Sequence, residues 1–472
     1  MAGSAALPMP DKSGSETADS GRAQPWPSVP AAYWALFVIV LATFMTFFDQ
    51  VVFGMLAERI KHDFGLTDSQ LGFLAGPATI ICYLFVGIPL ARLADIFPRK
   101  YVLGGGATAI GAIIALSGLA QNFAQFVLGR VFLAAGGSAH APAAYSLLAD
   151  AFPPRVLTRA FALLQFGFIG GTTLGPLIGG QLVMMTGTWD KSRIGPLEIF
   201  GWQWILIGMG LVTSAVALLF LTVKEPARRL LPGEKVAIPE STRSLRRVLT
   251  FMGLDAFNAI NAKPGVYYPL FAGLALSAIS VFGLQFWQVP FLIRTYGWNE
   301  AQIGVMLSAV TLTGSLAGLA IGAVFVEQLA KRYKDANVRA ACLFFAVVTV
   351  ANIVAPLMPT GEAALAVIGV GLAFGMAGAV PQNAAIQRVA PNAMRGQVTA
   401  IYLFMFTFFG AMGAFFVGLI QDYVVADEYR LWLTLVIAAS TLLPLATLFM
   451  FLAIRPYREE VERLEALEST TA

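Results

Sequence analysis

The stretch Trp34-Ala-Leu-Phe-Val-Ile-Val-Leu-Ala-Thr-Phe-Met-Thr-Phe-Phe48 carries no charge and is followed at once by Asp49. An apolar run of this length, continuing beyond the acid, is typical of a membrane-spanning helix. A charged group at bilayer depth costs about 2.5 to 3.5 kcal/mol on insertion scales, so such acids usually face a cavity and serve transport. Asp49 is therefore the first candidate functional residue. The alternative is a carboxyl group hydrogen-bonded at a water-facing helix end.

The composition predicts a polytopic membrane protein. Hydrophobic residues make up 57% of the chain and charged residues only 12%, against roughly 25% charged in a soluble domain. Apolar windows of membrane-spanning length predict an all-α protein with twelve transmembrane helices in two groups of six. The spans, numbered 1 to 12, are predicted at 33–56, 71–92, 102–120, 124–149, 161–185, 202–223, 268–293, 301–326, 340–358, 362–387, 397–424 and 431–454.

The two groups of spans set the domain boundaries. Residues 224–263 form a basic, hydrophilic stretch between the groups, and its apolar residues at helical spacing, Leu245, Val248, Leu249 and Met252, fit either an interfacial helix or an ordinary solvated helix. The first thirty residues are rich in Pro, Ser, Gly and Ala, which predicts disorder. The predicted units are a tail 1–30, a six-helix bundle 31–223, a linker 224–264, a six-helix bundle 265–454 and a tail 455–472.

Basic residues predict the orientation. If both termini are cytoplasmic, most Lys and Arg residues fall in segments on the cytoplasmic side, as the positive-inside rule requires. The net charge of +4 then reflects the basic residues in the cytoplasmic segments, and we expect no nucleic-acid partner. Cys82 and Cys342 fall in different predicted spans and show no metal-binding spacing.

An enzyme is not expected. The two histidines, His62 and His140, do not form an H-E-x-x-H site, and neither a Ser-Lys dyad nor a nucleotide-binding loop is visible. We therefore expect no metal and no cofactor.

The two halves repeat each other in sequence. Gly136-Gly-Ser-Ala-His-Ala-Pro142 in span 4 matches Gly375-Met-Ala-Gly-Ala-Val-Pro381 in span 10 at an offset of 239 residues. Just beyond these helices, Pro153–Arg159 corresponds to Pro391–Gln397 at an offset of 238. Two matches at nearly one offset indicate a duplicated bundle, as expected of transporters built from repeats.

The loop after span 2 reads Ala91-Arg-Leu-Ala-Asp95-Ile-Phe-Pro-Arg99-Lys100. It resembles the loop 2-3 signature of the major facilitator superfamily, G-x-x-x-D-(R/K)-x-G-(R/K)-(R/K), and departs from it at Ala91, Ile96 and Pro98. The resemblance implies the fold of that superfamily and a cytoplasmic charge network that holds one half against the other. The alternative is plain positive-inside charge. The predicted latch residues, including the counterparts after span 8, are Asp95, Arg99, Lys100, Glu327, Lys331, Arg332 and Arg395.

Span 5 contains Gly171-Thr-Thr-Leu-Gly-Pro-Leu-Ile-Gly-Gly180, which resembles the superfamily's antiporter signature G-x-x-x-G-P-x-x-G-G. Glycines four residues apart allow close helix packing, and a proline removes one backbone hydrogen bond. The alternative is a small-residue packing seam unrelated to antiport. The predicted hinge residues are Gly171, Gly175, Pro176, Gly179 and Gly180.

Patches across the chain are similar to bacterial Spinster-like carriers: Leu56–Lys61, Asp68–Gly72, Pro142–Ser146 and Asn383–Gln397. The resemblance implies movement of lysophospholipids, sphingoid lipids or other amphiphiles, commonly coupled to protons, across the bacterial inner membrane.

The departures from the Spinster-like pattern concern coupling. These carriers show Asp-Arg in helix 1 and a Glu seven residues after an Arg in helix 4. Asp49 and Arg130 match, whereas Gln50 and Gly137 replace the other arginine and the glutamate. His140 lies one turn beyond Gly137, and histidine titrates near neutral pH, so it is a candidate for a proton relay with Asp49.

Arg130 stays charged when buried and is expected to hold Asp49 ionised or to bind an anionic head group. The alternatives are an arginine that extends toward the interface and a locally hydrogen-bonded histidine at position 140. Candidate substrate-binding residues are polar or aromatic side chains in apolar sequence, with hydrogen bonds between helices as the alternative role. They are Gln285, Trp287, Gln288, Gln382, Asn383, Gln165, Tyr83 and Tyr145.

The sequence thus predicts a monomeric secondary transporter that works by alternating access. We expect proton coupling, an amphiphilic, lipid-like or other small organic substrate, and membrane lipids as neighbours. A proton symporter or facilitator for a sugar or organic acid is the alternative, and a non-transporting sensor of the same fold stays open.

Overall fold

The computed structural model describes residues 26–80, 97–138, 140–189, 191–194, 197–226, 254–390 and 395–471. The regular structure of these residues is helical apart from two short strands. Ser192–Ile194 (β1) pairs antiparallel with Leu197–Ile199 (β2), with Arg193 opposite Glu198. The all-α prediction is confirmed. Several predicted features lie outside the described residues: the tail up to residue 25, Tyr83, Asp95 and the linker segment 245–252, which is predicted to be an interfacial or a solvated helix.

The first half contains spans 1 to 6. Each of these helices begins or ends near a Gly, a Pro or a capping residue, as the loop chemistry predicts. Their bounds are Val29–Phe64 for span 1, Asp68–Ala75 for the start of span 2, Arg99–Ser117 for span 3, Phe123–Ser138 and His140–Ala151 for span 4, Pro154–Thr186 for span 5 and Gly201–Leu218 for span 6.

The second half contains spans 7 to 12, preceded by the short helix Leu254–Asn261. Span 12 continues well past the apolar segment because Tyr457 and Val461 of its extension are buried against the second half. The bounds are Pro264–Tyr296 for span 7, Glu300–Ala330 for span 8, Ala336–Val354 for span 9, Gly361–Val389 for span 10, Arg395–Ile420 for span 11 and Leu431–Thr471 for span 12.

Ten helices in the described part of the chain are long and apolar enough to cross a membrane. The other two predicted spans are 2 and 4. Span 2 runs into residues 81–96, which are not described, and span 4 is described as two shorter helices on either side of residue 139. The observed helices are therefore consistent with twelve spans.

The apolar cores distinguish the two ends of the bundle. We call the end where span 6 stops and span 7 starts the linker end, and the other the opposite end. One buried cluster joins both halves toward the opposite end, where Phe53 of span 1 stacks on Phe286 of span 7 with ring centroids 5.9 Å apart. Two further clusters lie toward the linker end, and each draws its residues from one half. The halves therefore share a core at the opposite end.

Two helix pairs, spans 2 and 11 and spans 5 and 8, carry the contact between the halves. A side chain added at Gly72 would collide with the backbone oxygen of Ala414, and one added at Gly304 would collide with that of Pro176. Ala414 lies 238 residues after Pro176, the offset found between the repeats. The two seams are thus repeat-related, and each depends on a glycine that lets two backbones touch.

We expect Gly72→Val to keep the opposite end from closing, because the new side chain would overlap backbone that cannot move aside. Nitroxide labels at Glu198 and Glu362, one on each half, should report a longer inter-label distance by pulsed electron resonance. Gly105→Val is the matched control, since a side chain there meets nothing within 4 Å. An unchanged distance in Gly72→Val would contradict the glycine seam.

Candidate functional site

Asp49 and Arg130 meet within the first half. Their residues are 3% and 6% exposed, and the Arg130 Nη1 lies 3.4 Å from the Asp49 Oδ2. The guanidinium also stacks on Phe53, with its carbon 3.6 Å from the ring centroid. The expected meeting of these two residues is therefore observed, and Arg130 points inward rather than toward the interface.

The pair is incompletely satisfied. Asp49 Oδ1 and Arg130 Nε are buried, and neither has a hydrogen-bond partner within the described structure. Buried polar atoms normally find partners, so an open acceptor beside an open donor marks a place for a proton, a water molecule or a ligand group. The two charges share a single long contact of 3.4 Å, which leaves room beside them for one of these groups.

Span 5 holds span 1, and thereby Asp49, in position. A side chain added at Gly171 would lie 2.7 Å from the backbone oxygen of Phe44, and one added at Gly175 would lie 2.9 Å from Val51. Gly180, on another face, lies against the backbone of Glu300 in span 8. The predicted hinge glycines therefore pack span 5 against span 1 and against the other half together.

His140 contacts span 1 but not Asp49. Its Nε2 lies 3.1 Å from the Oγ1 of Thr43, and this hydroxyl group donates to the backbone oxygen of Ile39. Since the hydroxyl proton is already used, His140 Nε2 is the donor in the contact. Thr43 precedes Asp49 by six residues, about 9 Å along the helix. The predicted direct relay between His140 and Asp49 is not formed in this conformation.

Trp287 does not line an open site. It is fully buried, and its indole nitrogen donates to the backbone oxygen of Ala414 at 2.9 Å. This is the alternative role foreseen for such residues, a hydrogen bond between spans 7 and 11. An apolar sequence context does not reveal whether an indole already has a backbone partner, and substrate binding by Trp287 stays a prediction.

The other candidate binders are spread over several helices. Gln382 is buried and Gln288 is half-buried, and the Asn383 amide donates to the backbone oxygen of Ala379 in its own helix. Tyr145 is exposed and packs edge-on against Phe161. Gln165 and Gln285 are exposed.

Arg99 connects the linker-end tips of three helices in the first half. It is buried and forms ion pairs with Asp150 at the end of span 4 and Glu225 after span 6. The Lys100 backbone also donates to Glu225. Glu327 and Lys331 form an exposed pair within one helical turn, and Arg332 is exposed. The side chain of Arg395 lies outside the described residues.

A second cluster of charges joins the halves at the opposite end, and the sequence did not single it out as a site. Arg294 at the end of span 7 donates to both carboxylate oxygens of Asp68, at 2.8 and 2.9 Å, and its Nε donates to Glu58. Both side chains of the Arg294–Asp68 pair are almost fully buried. Arg59 at the end of span 1 pairs with Glu300 at 2.8 Å. We call these residues the opposite-end gate.

Span 11 also binds the first turn of span 2. The Asp422 carboxylate accepts the backbone N–H groups of Asp68 and Ser69 at 3.1 and 2.7 Å. An acid at a helix N-terminus satisfies free donors and complements the helix dipole. Lys61 adds contacts to Asp68 and Glu428. The gate therefore combines ion pairs with a cap supplied by the other half.

A segment that is repeated in the two halves of the sequence would have revealed the gate residues. Gly65-Leu-Thr-Asp-Ser-Gln-Leu-Gly72 corresponds to Gly297-Trp-Asn-Glu-Ala-Gln-Ile-Gly304 at an offset of 232 residues. Each segment has a left-handed glycine, a capping residue, an acid and the seam glycine in order. Aligning the repeats places both acids at matching helix starts.

The family profile described as Major Facilitator Superfamily matches residues 39–414, most of the chain. The chain belongs to the Major Facilitator Superfamily. Its fold is that of the superfamily's transporters, and the chain is a multi-pass integral membrane transporter of this type.

Individual relatives include an MFS-type efflux pump of Mycolicibacterium smegmatis, 26% identical over 91% of this chain and 94% of that protein. Protein spinster homolog 1 of Xenopus laevis is 26% identical over 66% of this chain and 56% of that protein. Among solved structures, a bacterial homolog of the human lysosomal transporter Spinster, inward-facing and unoccupied, superposes with a TM-score of 0.76 at 23% identity, covering 92% of this chain and 99% of that chain. The resemblance to Spinster-like proteins is thus confirmed.

Two cations surround the Asp68 carboxylate in the closed gate of this transporter. Arg294 donates to both of its oxygens, and the Lys61 ammonium nitrogen lies 2.9 Å from Oδ1. Nearby positive charges and hydrogen bonds favour the ionised form of a carboxyl group. We therefore expect the closed gate to keep its ion pairs at neutral and mildly acidic pH.

We expect Asp68→Asn to open the opposite end, because Arg294 loses its bidentate partner. Breaking a buried ion pair costs about 3 to 5 kcal/mol. Accessibility of an opposite-end cysteine to a membrane-impermeant maleimide should rise in this variant and stay constant from pH 8 to pH 5 in the wild type. Asp427→Asn is the control, because this acid lies at the same end and its partners among the described residues, Arg430 and the backbone of Tyr429, belong to its own loop. A wild-type gate that opens at pH 5 would contradict the assignment.

Proposed function

We propose that the chain is a proton-coupled secondary transporter working by alternating access, with Asp49 as the proton-binding group and Arg130 as its ionic partner. The observation that carries the proposal is the buried Asp49–Arg130 pair, in which one oxygen and one nitrogen are left without a partner among the described residues. Intramembrane ion pairs of this kind are expensive and are found on proton or substrate paths. Asp49 and Arg130 also match charged positions of the Spinster-like pattern, whereas Gly137 replaces the glutamate that usually couples protons in that pattern.

Protonation of Asp49 would remove the counter-charge of Arg130. A buried guanidinium group then needs another anionic partner or a new position, and either response changes which conformation is stable. Span 1 runs without a proline from Asp49 to Arg59 in the opposite-end gate, about 15 Å further along the helix. A displacement of span 1 at the site would therefore reach the gate through one rigid helix.

The position of the closed gate and the distribution of basic residues along the chain together support an inward-facing conformation. We propose that the termini and the linker are cytoplasmic, as the positive-inside rule favours. The charged contacts between the halves, such as Arg294–Asp68, then lie on the outer side. Described ion pairs at the linker end, Arg99–Asp150 and Lys263–Glu460, each join elements of one half. We place the protein as a monomer in the bacterial inner membrane, surrounded by lipid.

For the substrate we propose an amphiphilic or lipid-like molecule exported in exchange for protons. Two observations support this: the similarity to Spinster proteins and the similarity to an efflux pump over nearly both full lengths. The span 5 signature is compatible with antiport. A D-xylose-proton symporter also superposes, with a TM-score of 0.60 at 16% identity, so the fold alone does not select the substrate.

A facilitator is the second candidate function. Gly137 occupies the position where the resembled carriers have a glutamate, and Gln50 stands in place of their arginine. The loss of both charged residues favours a carrier in which substrate movement is coupled to protons more simply or not at all. Protonophores would leave the uptake of such a facilitator unchanged.

Reconstitution in liposomes that contain a pH-sensitive dye tests coupling. We expect one class among lysophospholipids, sphingoid bases, sugars and organic acids to trigger proton movement in the wild type. Asp49→Asn should abolish this movement while substrate exchange across the membrane continues, since the variant keeps the shape of the side chain and loses its charge. Glu459→Gln, an exposed acid in the extension of span 12 that pairs with Arg455 one turn away, is the matched control. Substrate transport without proton movement in the wild type would contradict proton coupling and support the facilitator.

His140→Gln tests whether the histidine positions span 4 or carries protons. Glutamine can still donate to Thr43, so we expect transport to keep its rate within about threefold and its pH dependence unchanged, because one neutral hydrogen bond contributes about 1 kcal/mol. Transport rates measured between pH 6 and pH 8 check this. A pH profile displaced in the variant would show that His140 belongs to the proton path.

A further inference from the structure

Span 11 does not end as an ordinary α-helix. After Ile420 the backbone widens into a π turn, Gln421–Val425, and the N–H group of Ala426 donates to the carbonyl oxygen of Gln421 at 2.8 Å, five residues back. Ala426 then adopts a left-handed conformation with φ 52°, and no other non-glycine residue in the described part of the chain has a positive φ. Both features are costly for the backbone and occur often at functional sites. The end of span 11 therefore has a shape that side chains must hold.

Two buried polar side chains hold this turn. Gln421 is 2% exposed, and Thr434 in the first turn of span 12 is fully buried. The Thr434 hydroxyl group donates to the Oε1 of Gln421, and the Nε2 of Gln421 donates to the backbone oxygen of Asp427 at 2.6 Å. The amide group is thus bonded on both sides, to span 12 and to the loop that follows the turn. Because an unpaired buried amide would be costly, these two bonds favour one geometry of the turn.

The turn places Asp422 on the first turn of span 2. Both carboxylate oxygens of Asp422 accept backbone N–H groups there, from Asp68 and Ser69. A helix leaves these first donors without a partner of its own. Gly418, one turn earlier in span 11, lies against the backbone oxygen of Asp68. Gly418 and Asp422 therefore meet the same helix start, the glycine by close approach and the acid by hydrogen bonds.

The repeat-related seam of spans 5 and 8 is built differently. Gly180 of span 5 is equivalent to Gly418 at the offset of 238 residues, and each glycine touches backbone at the start of a helix in the other half. One turn further, however, the equivalent of Asp422 is Met184, which is exposed. Span 5 also ends regularly, since its cap residue Gly187 donates four residues back. Of these two described seams, only that of spans 2 and 11 combines a π turn with an acid cap.

We propose that Gln421 and Thr434 are positioning residues for the opposite-end gate. They hold the π turn, and the π turn keeps Asp422 on the start of span 2. A π turn contains one more residue in each hydrogen-bonded ring than an α-helix, so a return to α-helical geometry changes the direction in which Asp422 projects. Release of the Gln421 amide therefore withdraws the cap and opens the seam of spans 2 and 11.

This inference rests on alternating access, which is part of the proposed function, but it requires neither proton coupling nor a particular substrate. The gate then depends on a third helix. Span 12 does not supply the cap itself, yet Thr434 determines whether span 11 can supply it.

The reaction rate of a covered thiol tests the proposal in purified protein without substrate. Ser69→Cys is nearly isosteric, and position 69 is only 9% exposed beneath the Asp422 cap. In this variant, with Cys82→Ser and Cys342→Ser to remove the native thiols, the rate of reaction with a membrane-impermeant maleimide measures how often the seam opens.

Thr434→Val keeps the shape of the side chain and leaves the Gln421 oxygen without its donor. We expect the thiol at position 69 to react about fivefold faster, the effect of one net hydrogen bond. Thr434→Ser restores the hydroxyl group and should return the rate to within about twofold of the parent protein. Thr441→Val is the matched control, because the hydroxyl group of Thr441 donates to Ile437 of its own helix. An unchanged rate in Thr434→Val would overturn the proposal.

A double-mutant cycle distinguishes positioning from general stabilisation. Asp422→Asn should itself accelerate the reaction, while the ion pairs of Arg294 still hold the gate and keep the rate measurable. If Thr434 acts through Asp422, adding Thr434→Val to Asp422→Asn should change the rate less than twofold. Two accelerations that multiply would show that Thr434 stabilises the bundle independently of the cap, and would overturn the proposal.

Gln421→Met provides a second variant in case Thr434→Val does not fold. It keeps the length of the side chain and removes both hydrogen bonds of the amide, so the thiol should react at least as fast as in Thr434→Val. An unchanged rate in folded Gln421→Met would contradict this inference even if proton-coupled flux is present. Absence of proton movement in the liposome assay would contradict the proposed coupling and would not alter the rates expected here.

Discussion

Close backbone contact at glycine is the constraint on which the closed end of the bundle depends. Gly72 and Gly304 let spans 2 and 8 approach the backbones of spans 11 and 5, and only at that separation can short side chains reach across. Asp68 and Glu300, at the starts of the same two helices, then meet arginines of the other half. The ion pairs give the closed end specificity, but the glycines create the distance at which they form.

Span 1 links this closed end to the buried pair inside the first half. Its middle carries Asp49, its last turns carry the gate residue Arg59, and its side rests on the small residues of span 5. The flat glycine face lets span 1 slide or rotate without losing a large interlocked side-chain packing. A change of charge at Asp49 and a rearrangement at the gate are therefore mechanically connected, while span 5 simultaneously holds the other half through Gly180.

Hydropathy predicted twelve membrane helices because each span must satisfy its own backbone hydrogen bonds in lipid, and the described helices are consistent with that number. Asp49 and Arg130 were candidates for an ion pair from the sequence, but only the tertiary structure shows that they meet. Both roles of Trp287 were open from the sequence, because the acceptor of its indole N–H is a backbone oxygen on a helix more than a hundred residues away. The gate was missed for a related reason: charged residues at helix ends look like ordinary surface charge until the repeats are aligned.

The sequence by itself determined the helical membrane architecture, the duplicated halves and the buried acid, since apolar length, repeat offset and charge in an apolar run are local properties of the chain. Tertiary structure alone decided which end is closed and that Arg294 rather than Lys61 binds Asp68 through two hydrogen bonds. These outcomes depend on how two rigid bundles dock, and docking is set by contacts between residues far apart in the chain.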